Sequence, residues 1–155
     1  MDLSRLRIYW LLLVTADRPK FNTPRIETDE AEKLYKDGQQ FELEGDLVNA
    51  ISLLEKAAEK GHARACLSLG LIYSCPKADY PVDLVKARGY LEQAAQRGEA
   101  EAFYYLGSCY YSGVGGVEKD VNKARELYLK SLELGYHPAL AVVAAMYENG
   151  IGTPR

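Results

Sequence analysis

The sequence predicts an all-α chain, a solenoid of stacked helix pairs, and three observations carry that prediction. The first is a repeat: Gly70 and Gly107, Ala50, Ala87 and Ala124, and Tyr73, Tyr110 and Tyr147 each recur at 37 positions. Self-similarity at such a period marks an array of supersecondary units. The second is punctuation: Asp46, Asp83 and Asp120 open one segment of every unit, and Gly61, Gly98 and Gly135 close it, at the same interval. The third is the stretch from Ala100 to Gly135, AEAFYYLGSCYYSGVGGVEKDVNKARELYLKSLELG, which reads as two amphipathic helices joined by a glycine-rich loop.

A length of 155 residues suits one compact domain or a short solenoid with a continuous core. Hydrophobic content of 48% and charged content of 26% are those of an ordinary folded chain. A net charge of -3 argues against a nucleic-acid partner, which calls for a concentrated basic face. Cys66, Cys75 and Cys109 are odd in number and contain no CxxC pair, so they form neither a disulfide framework nor a zinc site. Cys66 and Cys109 fall inside helical patterns as small core fillers, which favours a reducing, cytoplasmic setting.

Residues 1–16, MDLSRLRIYWLLLVTA, allow two readings. As a helix, Leu3, Leu6, Trp10 and Leu13 share a face that caps the open end of the stack. As a signal peptide, Arg5 and Arg7 precede an apolar run and Val14-Thr15-Ala16 offers a cleavage site, which makes the protein secreted or periplasmic. The run is too short to span a bilayer as a helix. Residues 17–28 carry Pro19 and Pro24 without periodicity and read as a linker. Asp29 then looks like a helix N-cap, with Glu32 completing a box-like pair.

The repeat domain runs over 29–155, with units at about 31–62, 63–99 and 100–136 and a half unit at 137–155, about three and a half in all. The first helix of each unit carries a small residue followed by an aromatic: Gly38 with Phe41, Gly70 with Tyr73, Gly107 with Tyr110, Ala144 with Tyr147. A mid-helix glycine costs about 1 kcal/mol relative to alanine, so its recurrence at one register predicts a close helix crossing. Asp46, Asp83 and Asp120 are placed to cap the second helices, followed by large residues at Leu54, Leu91 and Tyr128 and small pairs at Ala57-Ala58 and Ala94-Ala95. The third unit has Ser131-Leu132 instead, a departure that predicts wider local packing. Gly61, Gly98 and Gly135 are predicted to end the helices in the left-handed conformation. The first unit is five residues shorter between its helices, and the longer loops SCPKADYPV and SGVGGVEK fall on one edge of the stack.

These residues resemble the Sel1-like repeat family, a branch of the tetratricopeptide-type (TPR-like) helical repeats. The third unit carries the fullest pattern: Ala100-x-Ala102, Leu106-Gly107-x-x-Tyr110-x-x-Gly113-x-Gly115, Asp120, then Lys123-Ala124-x-x-x-Tyr128. The second keeps Leu69-Gly70-x-x-Tyr73 and Lys86-Ala87 but has a proline-containing loop in place of the glycines. The resemblance implies a right-handed α-α superhelical solenoid whose first helices line a concave surface, and a non-catalytic scaffold or adaptor that holds a protein or peptide partner there. Some relatives are secreted proteins with a cysteine pair in each unit, a pairing this chain lacks.

The groove positions implied by the resemblance are the second, fifth, ninth and twelfth of each first helix. In this sequence they are Glu32, Tyr35, Gln39 and Glu42, then Arg64, Leu67, Leu71 and Ser74, then Glu101, Tyr104, Ser108 and Tyr111. Tyrosines there offer contact area with a hydroxyl for orientation, or else simply cover the helix surface. Leu67 and Leu71, if exposed, form an apolar patch that wants a ligand. The final helix, 138–148, is apolar almost all round and so should be buried. Either self-association through it or a longer natural chain supplies the cover.

No catalytic constellation emerges. His62 and His137 sit in inter-helix turns, and neither has a partner at metal-ligand spacing, so a structural role is expected and no metal. The glycines 113–116 follow a helix and lack a Lys-Ser or Lys-Thr, so they form no phosphate loop. Glu42, Glu44 and Asp46 read as a solvated face or caps. No nucleophile arrangement and no cofactor motif is present. The expectation is a non-enzyme.

Overall fold

Each of the three full units folds as a helical hairpin in the computed structural model, which describes residues 29–75 and 80–151, and the half unit contributes a single helix among them. Among the described residues there are seven α-helices and no strand: α1 (Asp29–Glu44), α2 (Leu47–Glu59), α3 (Ala63–Ser74), α4 (Leu84–Gln96), α5 (Ala100–Ser112), α6 (Val121–Glu133) and α7 (Ala139–Glu148). Packing is most extensive within the pairs α1–α2, α3–α4 and α5–α6, while α2–α3, α4–α5 and α6–α7 join one unit to the next. The segment 1–16, with its capping and signal readings, and the linker 17–28 lie outside the described residues.

The hairpins are built from one set of backbone bonds used three times. Asp46, Asp83 and Asp120 accept the N–H groups of Asn49, Lys86 and Lys123 at 3.1, 2.9 and 3.0 Å, satisfying donors that a helix start leaves free. Their own N–H groups go to the carbonyls of Phe41, Tyr73 and Tyr110 at 2.9, 3.0 and 2.8 Å, which ties each second helix to the end of the first. At the far end Gly61, Gly98 and Gly135 stand at φ of +87°, +88° and +96°. Their N–H groups bond to Ala58, Ala95 and Leu132, and those of His62, Glu99 and Tyr136 to Ala57, Ala94 and Ser131. This is the Schellman closure, and it turns the chain into the next unit.

The glycine register marks the crossings. A Cβ at Gly38 would stand 3.0 Å from Leu54 Cγ, one at Gly70 2.7 Å from Leu91 Cγ, and one at Gly107 2.8 Å from Tyr128 Cε1. The large residue of each second helix therefore rests on the bare backbone of the first. Leu54, Leu91 and Tyr128 are buried; Leu69, Ile72 and Cys66 complete the core around the first two, and Ala124, Val143 and Met146 pack with Tyr128 in a second cluster.

Several expectations need correction. Asp29 stands within the first turn of α1 rather than before it, and Glu32 makes its bonds elsewhere. Ser131 does not loosen the third unit: it is fully buried, and its Oγ donates to the Ala100 carbonyl at 2.6 Å. Cys66 is buried and Cys109 half-buried, both thiols pushed up by burial, whereas Cys75 is exposed. The glycine loop is a packing element, since the Arg88 Nε of α4 donates to the Gly115 carbonyl at 2.7 Å.

Candidate functional site

The first-helix positions read from the sequence separate into two groups. Position five points inward. Tyr35 is 9% exposed and Leu67 8%, and Tyr35 stacks on the His62 ring with centroids 4.4 Å apart. Tyr104 packs against Tyr105, Tyr128 and Tyr136 at 5.4, 5.4 and 5.3 Å. His62 and Tyr136 occupy the same place in the turns that close the first and third units, with Glu99 between them in the second, so in those two units position five wedges the inter-unit turn instead of offering itself to a ligand. Leu71 is likewise half-buried against the core, and the expected Leu67–Leu71 patch is not an exposed surface.

The remaining positions stay on the surface or near it. Gln39, Arg64 and Tyr111 are exposed, while Glu42 and Glu101 are half-buried. Ser74 Oγ donates to the Gly70 carbonyl at 2.6 Å. Ser108 Oγ lies 3.3 Å from the Tyr104 carbonyl and shares a 3.1 Å hydrogen bond with the Tyr128 hydroxyl. Lys119 Nζ sits 5.7 Å from the centre of the Tyr111 ring.

Glu32 belongs to a cluster that spacing alone did not reveal. His62 caps α3: its Nδ1 accepts the Ala65 N–H at 3.1 Å, so the ring proton is on Nε2, 2.9 Å from Glu32 Oε2. That hydrogen bond and the Lys36 ammonium at 3.2 Å hold the Glu32 carboxyl below the ordinary carboxylate range. The partner lies 30 residues away and is brought close only by the stacking of units. The arrangement is structural, and no group of three His, Cys, Asp or Glu among the described residues is placed to hold a metal ion.

Two cavities flank the later units. One, of about 390 Å³, opens between α5 and α7, walled by Tyr111 and Tyr128 and floored by Ala141, Val142, Ala145 and Met146. Ala141 and Ala145 are the fourth-unit counterparts of Tyr104 and Ser108, so adding one further period to the predicted groove positions finds them. Tyr111 alone among the predicted residues lines this opening. The other cavity, about 340 Å³, lies toward the second helices, with Phe103 and Leu106 at its base and Lys123 and Lys130 at its rim. There Lys123 covers the Tyr110 ring at 4.2 Å and Lys130 the Phe103 ring at 4.9 Å, so its aromatic surface is already partly covered. A comparable tie joins units one and two, where Lys86 reaches Tyr73 at 2.7 Å and Glu55 at 3.3 Å. The face of α7 around Leu140, 40% exposed, is not covered by another helix among the described residues. No helix there is long and apolar enough to cross a membrane.

Comparison with known proteins agrees with the geometry. A family model described as the Sel1 repeat matches residues 31–62, 63–99, 100–136 and 137–155. Among solved structures, a Sel1 repeat protein from Oxalobacter formigenes is 31% identical over 79% of this chain and 36% of its own, with a TM-score of 0.71. The protein c5321, a protective antigen present in uropathogenic Escherichia coli strains and displaying an SLR fold, is 28% identical over 79% of this chain and 27% of its own, with a TM-score of 0.72. The chain thus spans between about a quarter and a third of the length of these structures. No curated protein matches it.

Proposed function

The chain belongs to the Sel1 repeat family, and from that premise we propose that it is a non-catalytic scaffold whose concave groove holds a protein or peptide partner. Repeats of this family are typically protein–protein interaction scaffolds. The single observation that supports the groove reading is the opening between α5 and α7, an apolar cavity beside an exposed tyrosine. Concave apolar sites with few polar groups are where ligands bury surface. Gln39, Arg64 and Tyr111 are the exposed members of the predicted set, and they form the working contact surface.

The test is peptide selection against the folded chain by phage display, followed by titration of the enriched peptides. Tyr111→Glu and Arg64→Glu are expected to weaken binding while leaving helicity unchanged, and Lys56→Glu, on α2, to leave binding unchanged. Substituting Tyr104 or Leu71 instead would confuse binding with stability, because both are packed. Equal binding by all three surface variants would remove the groove as the site. Turnover of any substrate that copurifies with the chain itself and persists after repurification would contradict the non-catalytic reading.

A further inference from the structure

The junction between units one and two and the junction between units two and three repeat one charged motif. In each, a lysine of the second helix lies over a tyrosine ring of the first, Lys86 over Tyr73 at 4.3 Å and Lys123 over Tyr110 at 4.2 Å. The preceding unit places a glutamate at the same register, Glu55 and then Glu92. In the first junction Glu55 Oε1 accepts from Lys86 Nζ at 3.3 Å, from the Tyr90 hydroxyl at 3.2 Å and from the Tyr73 hydroxyl at 3.4 Å. The molecule itself therefore displays what this lysine–tyrosine pair binds, which is a carboxylate.

The second junction keeps the pair but closes it differently. Glu92 turns to Arg88, whose NH1 donates to it at 2.9 Å while the Nε holds the Gly115 carbonyl. Leu127 stands in place of Tyr90 and brings no hydroxyl. Two further positions differ: Phe103 replaces Cys66, adding a ring, and Lys130 replaces Gln93, adding a second ammonium 4.9 Å from that ring's centre. Together these side chains border the cavity of about 340 Å³. Phe103 and Leu106 are buried at its base, whereas Lys123 and Lys130 are exposed and accessible to solvent. Of the charged groups lining it, Glu92 is balanced by Arg88, so the two lysines make the rim positive. An apolar floor with a few placed polar groups suits a small molecule, and an ammonium bonds most strongly to an ionised acceptor.

We infer that this cavity binds a small organic acid, its carboxylate on Lys123 and Tyr110 and its apolar body over Leu106, Leu127 and Phe103. The site lies toward the second helices, goes beyond the scaffold reading and does not depend on it.

The test is a titration of the folded chain with 4-phenylbutyrate, its neutral amide serving as control, with alanine and leucine methyl groups observed by NMR. Saturable shifts are expected at Ala95, Leu106 and Leu127, with a dissociation constant on the order of 1 mM and the amide at least about tenfold weaker. Lys123→Met is expected to bring the acid down to the affinity of the amide and to leave the amide unchanged, and Lys123→Arg to retain the preference for the acid. Leu127→Tyr, which introduces the ring and hydroxyl of the first junction, is expected to abolish binding and decides the matter if Lys123→Met does not fold. Equal binding of acid and amide, a preference for the acid that survives Lys123→Met, or shifts confined to Val142 and Met146 at the other cavity would overturn the inference. None of these outcomes bears on peptide binding in the concave groove, which is measured separately.

Discussion

Unit two and the final part of the stack offer a comparison within one chain. Arg88 and Arg125 are 37 residues apart on α4 and α6. Arg88 Nε donates to the Gly115 carbonyl in the following unit's loop, and its NH1 reaches Glu92 at 2.9 Å. Arg125 Nε is buried and has no hydrogen-bond partner among the described residues. Gly70 and Ala144 differ in the same sense, the first pressed by Leu91 and the second without a second helix upon it among the described residues. One register therefore ties units two and three together at Arg88, with no matching tie at Arg125 among the described residues.

The largest expected effect that sharpens this contrast is at the crossing. Leu91→Ala removes a buried side chain from the bare backbone of Gly70 and is expected to cost about 2–5 kcal/mol. Leu140→Ala, on the uncovered face of α7, is expected to change stability by no more than about 0.5 kcal/mol. Chemical unfolding of both variants checks the pair, and similar losses would break the comparison. Next come the arginines. Arg88→Met forfeits a charged hydrogen bond, about 1.5–3 kcal/mol, while Arg125→Met removes a donor with no partner among the described residues and is expected to cost less. Thermal melts of the two would show the larger fall for Arg88→Met.

A smaller effect is expected from the caps. Asp83→Ala and Asp120→Ala should each cost about 1 kcal/mol, nearly additively, because they serve separate hairpins. The last is a pH effect. Burial pushes the Tyr105 phenol from 10.0 up to about 12, with Tyr136 and Glu101 adding to it, and burial and Glu55 do the same to Tyr90. A raised acid binds its proton more tightly in the folded state, so this stabilisation is complete below pH 10 and is lost as pH rises toward about 12. Urea midpoints are expected to fall across that window and to fall less for Tyr105→Phe.

Nearly all of the architecture was legible because it is periodic. Gly70 and Gly107 announced the crossings, Asp46, Asp83 and Asp120 the helix starts, and Gly61, Gly98 and Gly135 the turns, each by a local physical requirement repeated at one interval. The groove was legible only in part. Exposure depends on what a neighbouring unit does with a position: Tyr35 is taken by the His62 ring and Leu67 by the core, and neither neighbour is local in sequence. The Glu32–His62 bond escaped for the same reason. Ala141 and Ala145 could have been found by extending the period, but small residues carry no chemical signal of their own. Their meaning comes from the tyrosine and serine they replace.

The central claim is that a partner lies along the first helices and over the opening between α5 and α7. The most direct measurement is a methyl NMR titration of the chain with its tightest display-selected peptide, following Ala141, Ala145 and Met146 against Ala58 and Ala95 on the second helices. The account predicts shifts concentrated in the first group, with Ala58 and Ala95 unmoved. Shifts confined to Ala58 and Ala95 would contradict it.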